Sequence, residues 1–281
     1  MDRLAFSTNA FKKHTLEDAV NAIADIGYRG VEIMADVPHA YPPALDATAR
    51  DSLRALLTRR GLLVSNVNAF TLFAQGDTYH PTWIEHDPRL RAKRIAHTRA
   101  CIALAAELGS RTVSLQPGGP LIGTKTTVAQ ASRRFADGLL GVLALARELG
   151  VTLAIEPEPG LLIESSREYM DFKREFFRDE PLVRMNCDVG HLFCVGEDPA
   201  GVIRTLAAEV AHVHLEDIGA NRVHQHLTPG NGVIDFRSIF AALDFVRYDG
   251  WVTVELYPYE TTAPGVAQQA WRFLNGLGTA W

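Results

Sequence analysis

The chain has 281 residues, 47% of them apolar and 22% charged, with a formal net charge of −5 and a pI near 6.1. That composition excludes a disordered or fibrous chain, and the lack of an apolar run of ~18 residues excludes a membrane-spanning helix. The acidic balance disfavours a nucleic-acid partner.

The elements follow in order. A β-type run LAFST (4–8) precedes a helix whose start, Thr15-Leu16-Glu17-Asp18, has capping-box spacing and whose stop is Gly27. GVEIM (30–34) is the second strand, followed by a helix ending at Gly61 and by the third strand, LLVSNVNA (62–69). Asp87-Pro88 opens the next helix, with an N-cap before a proline at the first helical position. Cys101, Leu104, Ala105 and Leu108 then form its apolar stripe up to Gly109. TVSLQ (112–116) is the fourth strand; Phe135, Leu139, Val142, Leu143 and Ala146 mark a helix that stops at Gly150. TLAIE (152–156) is the fifth strand, and Ser165-Ser166-Arg167-Glu168 starts the helix after it. VRMNCD (183–188), a helix from Asp198-Pro199, AHVHL (211–215) and WVTVEL (251–256) complete the series. The eight β-type runs alternate only partly, as strands buried on both faces do.

Eight βα units of roughly 35 residues each predict a (β/α)8 TIM barrel of the α/β class, as one domain over residues 1–281. The rival is an open doubly wound sheet, which the lack of a GxGxxG turn after the first strand disfavours. The start, MDRLAFSTNAFKK, does not read as a secretory signal, and Cys101, Cys187 and Cys194 form no disulfide framework or CxxC pair, so a cytoplasmic location is expected.

A barrel carries its active site at the C-terminal ends of its strands. The first four strands end in Ser7-Thr8-Asn9, in Glu32 and Met34, in Asn66 and Asn68, and in Gln116. The last four end in Glu156, Asp188, His214 and Glu255. Three carboxylates on one rim repel one another unless a cation neutralises them. With the imidazole they make a metal site of mixed oxygen and nitrogen ligands. One divalent ion is expected, Mn²⁺ first, with Mg²⁺, Co²⁺, Zn²⁺ and Fe²⁺ as alternatives.

IEPEPG (155–160), CDVGH (187–191), HVHLED (212–217), HLTPGNGVIDF (226–236) and YDGWVTVELY (248–257) together resemble the xylose isomerase-like barrels over essentially the whole chain. That family includes sugar isomerases and epimerases, inosose dehydratases and AP endonucleases. The resemblance implies that Glu156, Asp188, His214 and Glu255 are the metal ligands. It also implies that His191 touches substrate oxygens or a second ion. The endonuclease branch builds a three-metal cluster with histidines after strands three and four. Here those places hold Asn66-Val67-Asn68 and Gln116-Pro117-Gly118-Gly119, although His224-Gln225-His226 offers an extra ligand. The implied activity is therefore sugar or cyclitol isomerisation or epimerisation through a metal-stabilised enediolate. A dehydratase or lyase on the same site is the alternative, and a nuclease or a non-catalytic sugar-binding barrel stands further off. Glu156 and Glu255 form the acid/base pair that the resemblance to ketose 3-epimerases implies. A homodimer or homotetramer is the assembly known among related barrels.

Further substrate contacts are expected from Glu158, His226, Glu32 and Asn68, and from Arg222 if the substrate carries a phosphate. The long loop 70–87 offers Phe70, Phe73, Tyr79 and Trp83 as a water-excluding lid, and 36–43 adds His39 and Tyr41. Each has a bland alternative. The loop aromatics can pack the lid or an interface, and Glu158 can belong to a proline-stiffened turn. His226 can hold its loop, and Glu32 can pair with a rim cation. His212 is expected on the strand face opposite His214.

Overall fold

The computed structural model describes residues 3–278. Its strands are β1 (Leu4–Ser7), β2 (Gly30–Met34), β3 (Leu63–Asn68), β4 (Thr112–Leu115), β5 (Thr152–Ile155), β6 (Val183–Asp188), β7 (Val210–Leu215) and β8 (Val252–Val254). All pair in parallel and in chain order, and β8 returns to β1 through Leu4 opposite Val252 and Phe6 opposite Val254. The barrel is closed, as the eight alternating units predict.

The helices are α1 (Leu16–Ile26), α2 (Ala47–Arg60), α3 (Pro88–Leu108), α4 (Val128–Leu149), α5 (Ser166–Phe176), α6 (Val189–Cys194), α7 (Pro199–Thr205), α8 (Phe236–Phe245) and α9 (Ala263–Gly276). Their ends lie where the sequence signals put them. Thr15, Asp87, Ser165 and Asp198 cap N-termini through their side chains, and Gly27, Gly61, Gly109 and Gly150 close α1 to α4 in the left-handed conformation. Among the described residues no helix is long and apolar enough to cross a membrane.

Strand alternation separates two environments. Phe6, Val31, Ile33, Val67, Val113, Leu153, Met185, Val213 and Val254 belong to one continuous apolar core. The inward positions are polar: Ser7, Glu32, Asn66, Ser114, Asn186, His214 and Thr253 are all fully buried. Barrel interiors are usually filled by branched apolar side chains; this one is filled by hydrogen-bonding groups.

Two long connections shape the C-terminal mouth. The loop 69–87 after β3 is held by Arg94 of α3, whose guanidinium donates to the carbonyls of Ala69, Phe70 and Pro81. It is also held by Asp36, which accepts from the amides of Phe73 and Ala74 and from the Thr71 hydroxyl. The connection 216–235 after β7 is anchored by Asp217, which accepts from the amides of Ile218, Gly230, Gly232 and Ile234. Asp217→Ala leaves those four amides without their acceptor, and hydrogen bonds to a charged group contribute about 1.5–3 kcal/mol each. A loss of at least ~3 kcal/mol follows, read as a lower urea midpoint. An unchanged midpoint would show that the loop does not depend on this carboxylate.

Candidate metal centre and active site

The last four strands bring Glu156, Asp188, His214 and Glu255 together. Glu156 follows β5 and Asp188 ends β6, where it also caps α6 by accepting from the amide of His191 at 2.8 Å. His214 lies in β7 and Glu255 follows β8. All four are buried, with donor atoms within 4.8 Å of one another. His214 Nδ1 lies 2.8 Å from Glu156 Oε1, 3.7 Å from Glu255 Oε1 and 3.9 Å from Asp188 Oδ2. Ligands about 2.1 Å from a shared ion stand roughly 3–4 Å apart, so the set fits one divalent cation. Asp188 Oδ1 is taken by the His191 amide, which leaves Oδ2 as its candidate ligand atom.

Electrostatics supports the same reading. Burial raises the Glu156 and Glu255 carboxyls, and the surrounding carboxylates push Glu255 further, although His214 opposes both. Burial alone would lower His214, but Glu32, Glu156 and Glu255 outweigh it and hold the ring well above the ordinary histidine range. Without a metal, the site thus retains protons in place of the cation.

Glu32 was expected to touch substrate. It lies beneath the four candidate ligands instead, fully buried and enclosed by donors. Ser7 Oγ donates to it at 2.7 Å, Asn66 Nδ2 at 2.8 Å, Asn68 Nδ2 at 3.1 Å and His214 Nε2 at 2.7 Å. Burial raises the Glu32 carboxyl, but His214 and His212 outweigh it and hold it well below its usual range. Glu32 therefore fixes the His214 ring and leaves Nδ1 facing the other three candidate ligands, as carboxylates behind metal-bound histidines do. Glu32→Gln should weaken metal binding roughly 10–100-fold with the fold retained; unchanged metal affinity in a calorimetric titration would remove this role.

A cavity of about 270 Å³ opens above the ligands. Glu156, Glu255, Glu158, Asn68 and His191 line it, together with Phe70, Phe73 and Tyr79 from the β3 loop. The Tyr79 hydroxyl donates to Glu158 Oε1 at 3.0 Å, while burial, then the charge of Glu156, pushes the Glu158 carboxyl up to about 8. Asn68 Nδ2 also reaches Glu255 Oε1 at 3.2 Å, and Asn9 Nδ2 reaches the same oxygen at 2.8 Å.

Beside the carboxylates stand three histidines. His191 and His226 direct Nδ1 at the carbonyls of Pro157 and Glu255, both at 3.0 Å, so Nδ1–H donates and Nε2 carries the lone pair. His226 Nε2 lies 3.3 Å from His191 Nε2 and 3.2 Å from His224 Nε2. The trio can hold a second ion or accept from a substrate hydroxyl. His191 and His224 face the cavity, while His226 stands behind them against Tyr257.

Several expected contacts lie elsewhere. Trp83 is buried against Phe135 of α4, over Gly138, where a Cβ would meet the indole at 2.8 Å; it packs the β3 loop onto the barrel and does not face the cavity. Arg222 lies on the surface over the Phe193 ring and donates to the Phe193 carbonyl, so it cannot anchor a phosphate in the cavity. His39 is held by the carbonyls of Phe11 and His14, and neither it nor Tyr41 lines the cavity. His212 faces the same way as His214, with Nε2 3.5 Å from Glu32, because residues two apart on a strand share a face.

The same spacing points to residues the motifs did not assign. Glu216, two positions after His214, is fully buried opposite Asp188; burial and the Asp188 charge hold its carboxyl well above the usual range. Asn9 and Tyr257 follow the ends of β1 and β8 and line the cavity.

The sequence profile of the xylose isomerase-like TIM barrel family matches residues 20–277. The chain belongs to that family. An inosose dehydratase of Clostridium perfringens strain 13 is 28% identical over 264 residues, spanning 87% of this chain and 83% of its own. Among solved structures, 3-keto-D-glucoside 4-epimerase from E. coli superposes with a TM-score of 0.80 at 17% identity, covering 98% of this chain and 100% of its own. The IolI protein, solved with a bound zinc atom, gives 0.79 at 17% identity, covering 98% and 97%. At such identities these two likenesses establish the fold.

Proposed function

We propose that this member of the xylose isomerase-like family is a divalent-metal-dependent enzyme that removes a proton next to the carbonyl of a keto-sugar or inosose. The reading rests on one observation: Glu156 and Glu255 meet at an aromatic-walled cavity directly above His214 and Asp188. A divalent ion on these four ligands would supply the positive charge that offsets an enediolate. Mn²⁺ suits the oxygen-rich set, and the zinc bound to IolI supports a divalent ion in this fold.

Glu156 and Glu255 are the acid/base pair. One, ionised, takes the proton from the substrate carbon and keeps it, and the other, protonated, gives its own proton to the opposite face, which inverts the centre. Phe70 and Phe73 keep water from the carbanion, while Asn9 and Asn68 orient the Glu255 carboxylate. The volume suits a single sugar or cyclitol ring. Lys12, the cation lining the cavity, is paired with Glu260 at 2.9 Å, which favours an unphosphorylated substrate.

Dehydration is the second reading, favoured by the likeness to inosose dehydratases. It needs an acid for the departing hydroxyl, and Glu158 and His224 line the cavity beside the pair. Incubation of the Mn²⁺-loaded protein in D₂O with ketoses, inososes and 3-keto sugars tests both. Deuterium at the carbon next to the carbonyl supports proton removal, and a product lighter by one water assigns dehydration. No exchange and no product from any of these substrates would overturn the proposal.

A further inference from the structure

A cavity of about 870 Å³ lies at the other end of the barrel, at the N-terminal ends of the strands. Arg3 immediately precedes β1, Arg111 immediately precedes β4, and Arg184 is the second residue of β6; all three line this cavity. Among the described residues none has a carboxylate partner within ion-pair distance, although Arg184 donates to the carbonyls of Ala208 and Val210. Arg54, also at the wall, is already paired with Asp51 and Glu107. Asp249 is the remaining carboxylate of the lining. The lining therefore carries more arginines than carboxylates.

His212 borders the inner end of that recess. It is 1% exposed and lines the cavity; its Nε2 faces Glu32 at 3.5 Å, and its Nδ1 has no hydrogen-bond partner. A buried ring nitrogen without a partner is costly, and such groups point to a ligand or water. Ser65 and Thr112 are buried in the same lining, where the Thr112 hydroxyl donates to the Ser65 carbonyl and the Ser65 hydroxyl bonds to that of Thr253.

We propose that this cavity is a second binding site, for a small polyanion carrying phosphate or several carboxylates. The planar guanidinium fork matches both groups, and three of them around one recess suit more than one negative charge. Arg3 and Arg111 grip the anion at the mouth, Arg184 contributes charge from the wall, and His212 Nδ1 meets its inner end directly or through water. The site is separate from the metal centre, but His212 touches Glu32 at 3.5 Å, and Glu32 holds His214. An anion here would lie two side chains from a metal ligand.

Isothermal titration calorimetry on the full-length, Mn²⁺-loaded protein tests the site with inorganic phosphate, glucose 6-phosphate and citrate in separate arms. At least one arm is expected to bind, and the tighter of the phosphate and tricarboxylate arms identifies the natural chemistry. Arg111→Ala should weaken that binding tenfold or more, and Arg3→Ala with Arg111→Ala should abolish it. Both side chains are exposed, so the fold should survive, and unchanged Mn²⁺ affinity in the double variant checks that it does. No binding in any arm at millimolar concentration overturns the proposal. So does binding that the double variant retains, because the anion then sits elsewhere.

Discussion

Glu255→Gln and Glu156→Gln are each expected to lower turnover by roughly 10²–10⁴-fold, the range that general acid–base groups supply. The amide keeps the shape of the side chain and an acceptor for its neighbours but cannot take a proton. Carbon-bound deuterium exchange should fall with turnover, and exchange at the wild-type rate in both variants would remove the acid/base assignment. Stability of the metal-free protein should move the other way. Burial raises the Glu255 carboxyl above its unfolded value. The folded state then binds the proton more tightly, so this group's contribution to stability falls as pH rises above the unfolded value of about 4.3. Replacing it with Gln removes that loss. The metal-free variant should match the wild type near pH 4 and melt higher at pH 8. A lower melting temperature at pH 8 would contradict crowding of like charge at this site.

Metal removal gives the second large effect. At a free metal concentration 1,000 times Kd, binding stabilises the folded state by about 4 kcal/mol. For a domain of this size that raises Tm by on the order of 10 °C. Loading should also release protons. Glu156 and Glu255 hold theirs more tightly than free carboxylates when no metal is bound, and a cation displaces them. Apparent affinity therefore rises with pH. Calorimetry at pH 7 in two buffers of different ionisation enthalpy measures the release directly. Loading without proton release, or affinity independent of pH between 5 and 8, would count against the four-ligand site.

The closed barrel was readable because its signals are local. Asp87-Pro88 and Asp198-Pro199 mark helix starts whatever lies around them, and glycine at 27, 61, 109 and 150 marks stops for a backbone reason. Glu156, Asp188, His214 and Glu255 were legible as polar groups at the ends of apolar strands. The misplacements came where side-chain direction decides. Glu32 and Glu255 are both glutamates in apolar β-type runs, but Glu32 sits one layer deeper, and only the barrel's register separates the two roles. The two-residue spacing of His212 from His214 puts both on one face, against the expectation of opposite faces, and the same period extends to Glu216. Trp83 and Arg222 were misjudged for another reason. Loop residues have no periodicity, and whether an aromatic or cation faces a cavity depends on partners far away in sequence, here Phe135 and Phe193.

The polar filling of the barrel has a consequence for how the ring closes. Asn66 bonds to Glu32 on one neighbouring strand and to Ser114 on the other, Ser7 bonds to Glu32, and Ser65 meets Thr253 across the interior. Oil-like contacts tolerate small offsets, whereas each of these pairs needs a particular rung opposite it. A strand that slipped by one residue would strand several donors in the dark centre of the cylinder. The interior thus works as a combination lock, which turns only when all staves are seated, and the rim on which the chemistry depends is set by the same alignment.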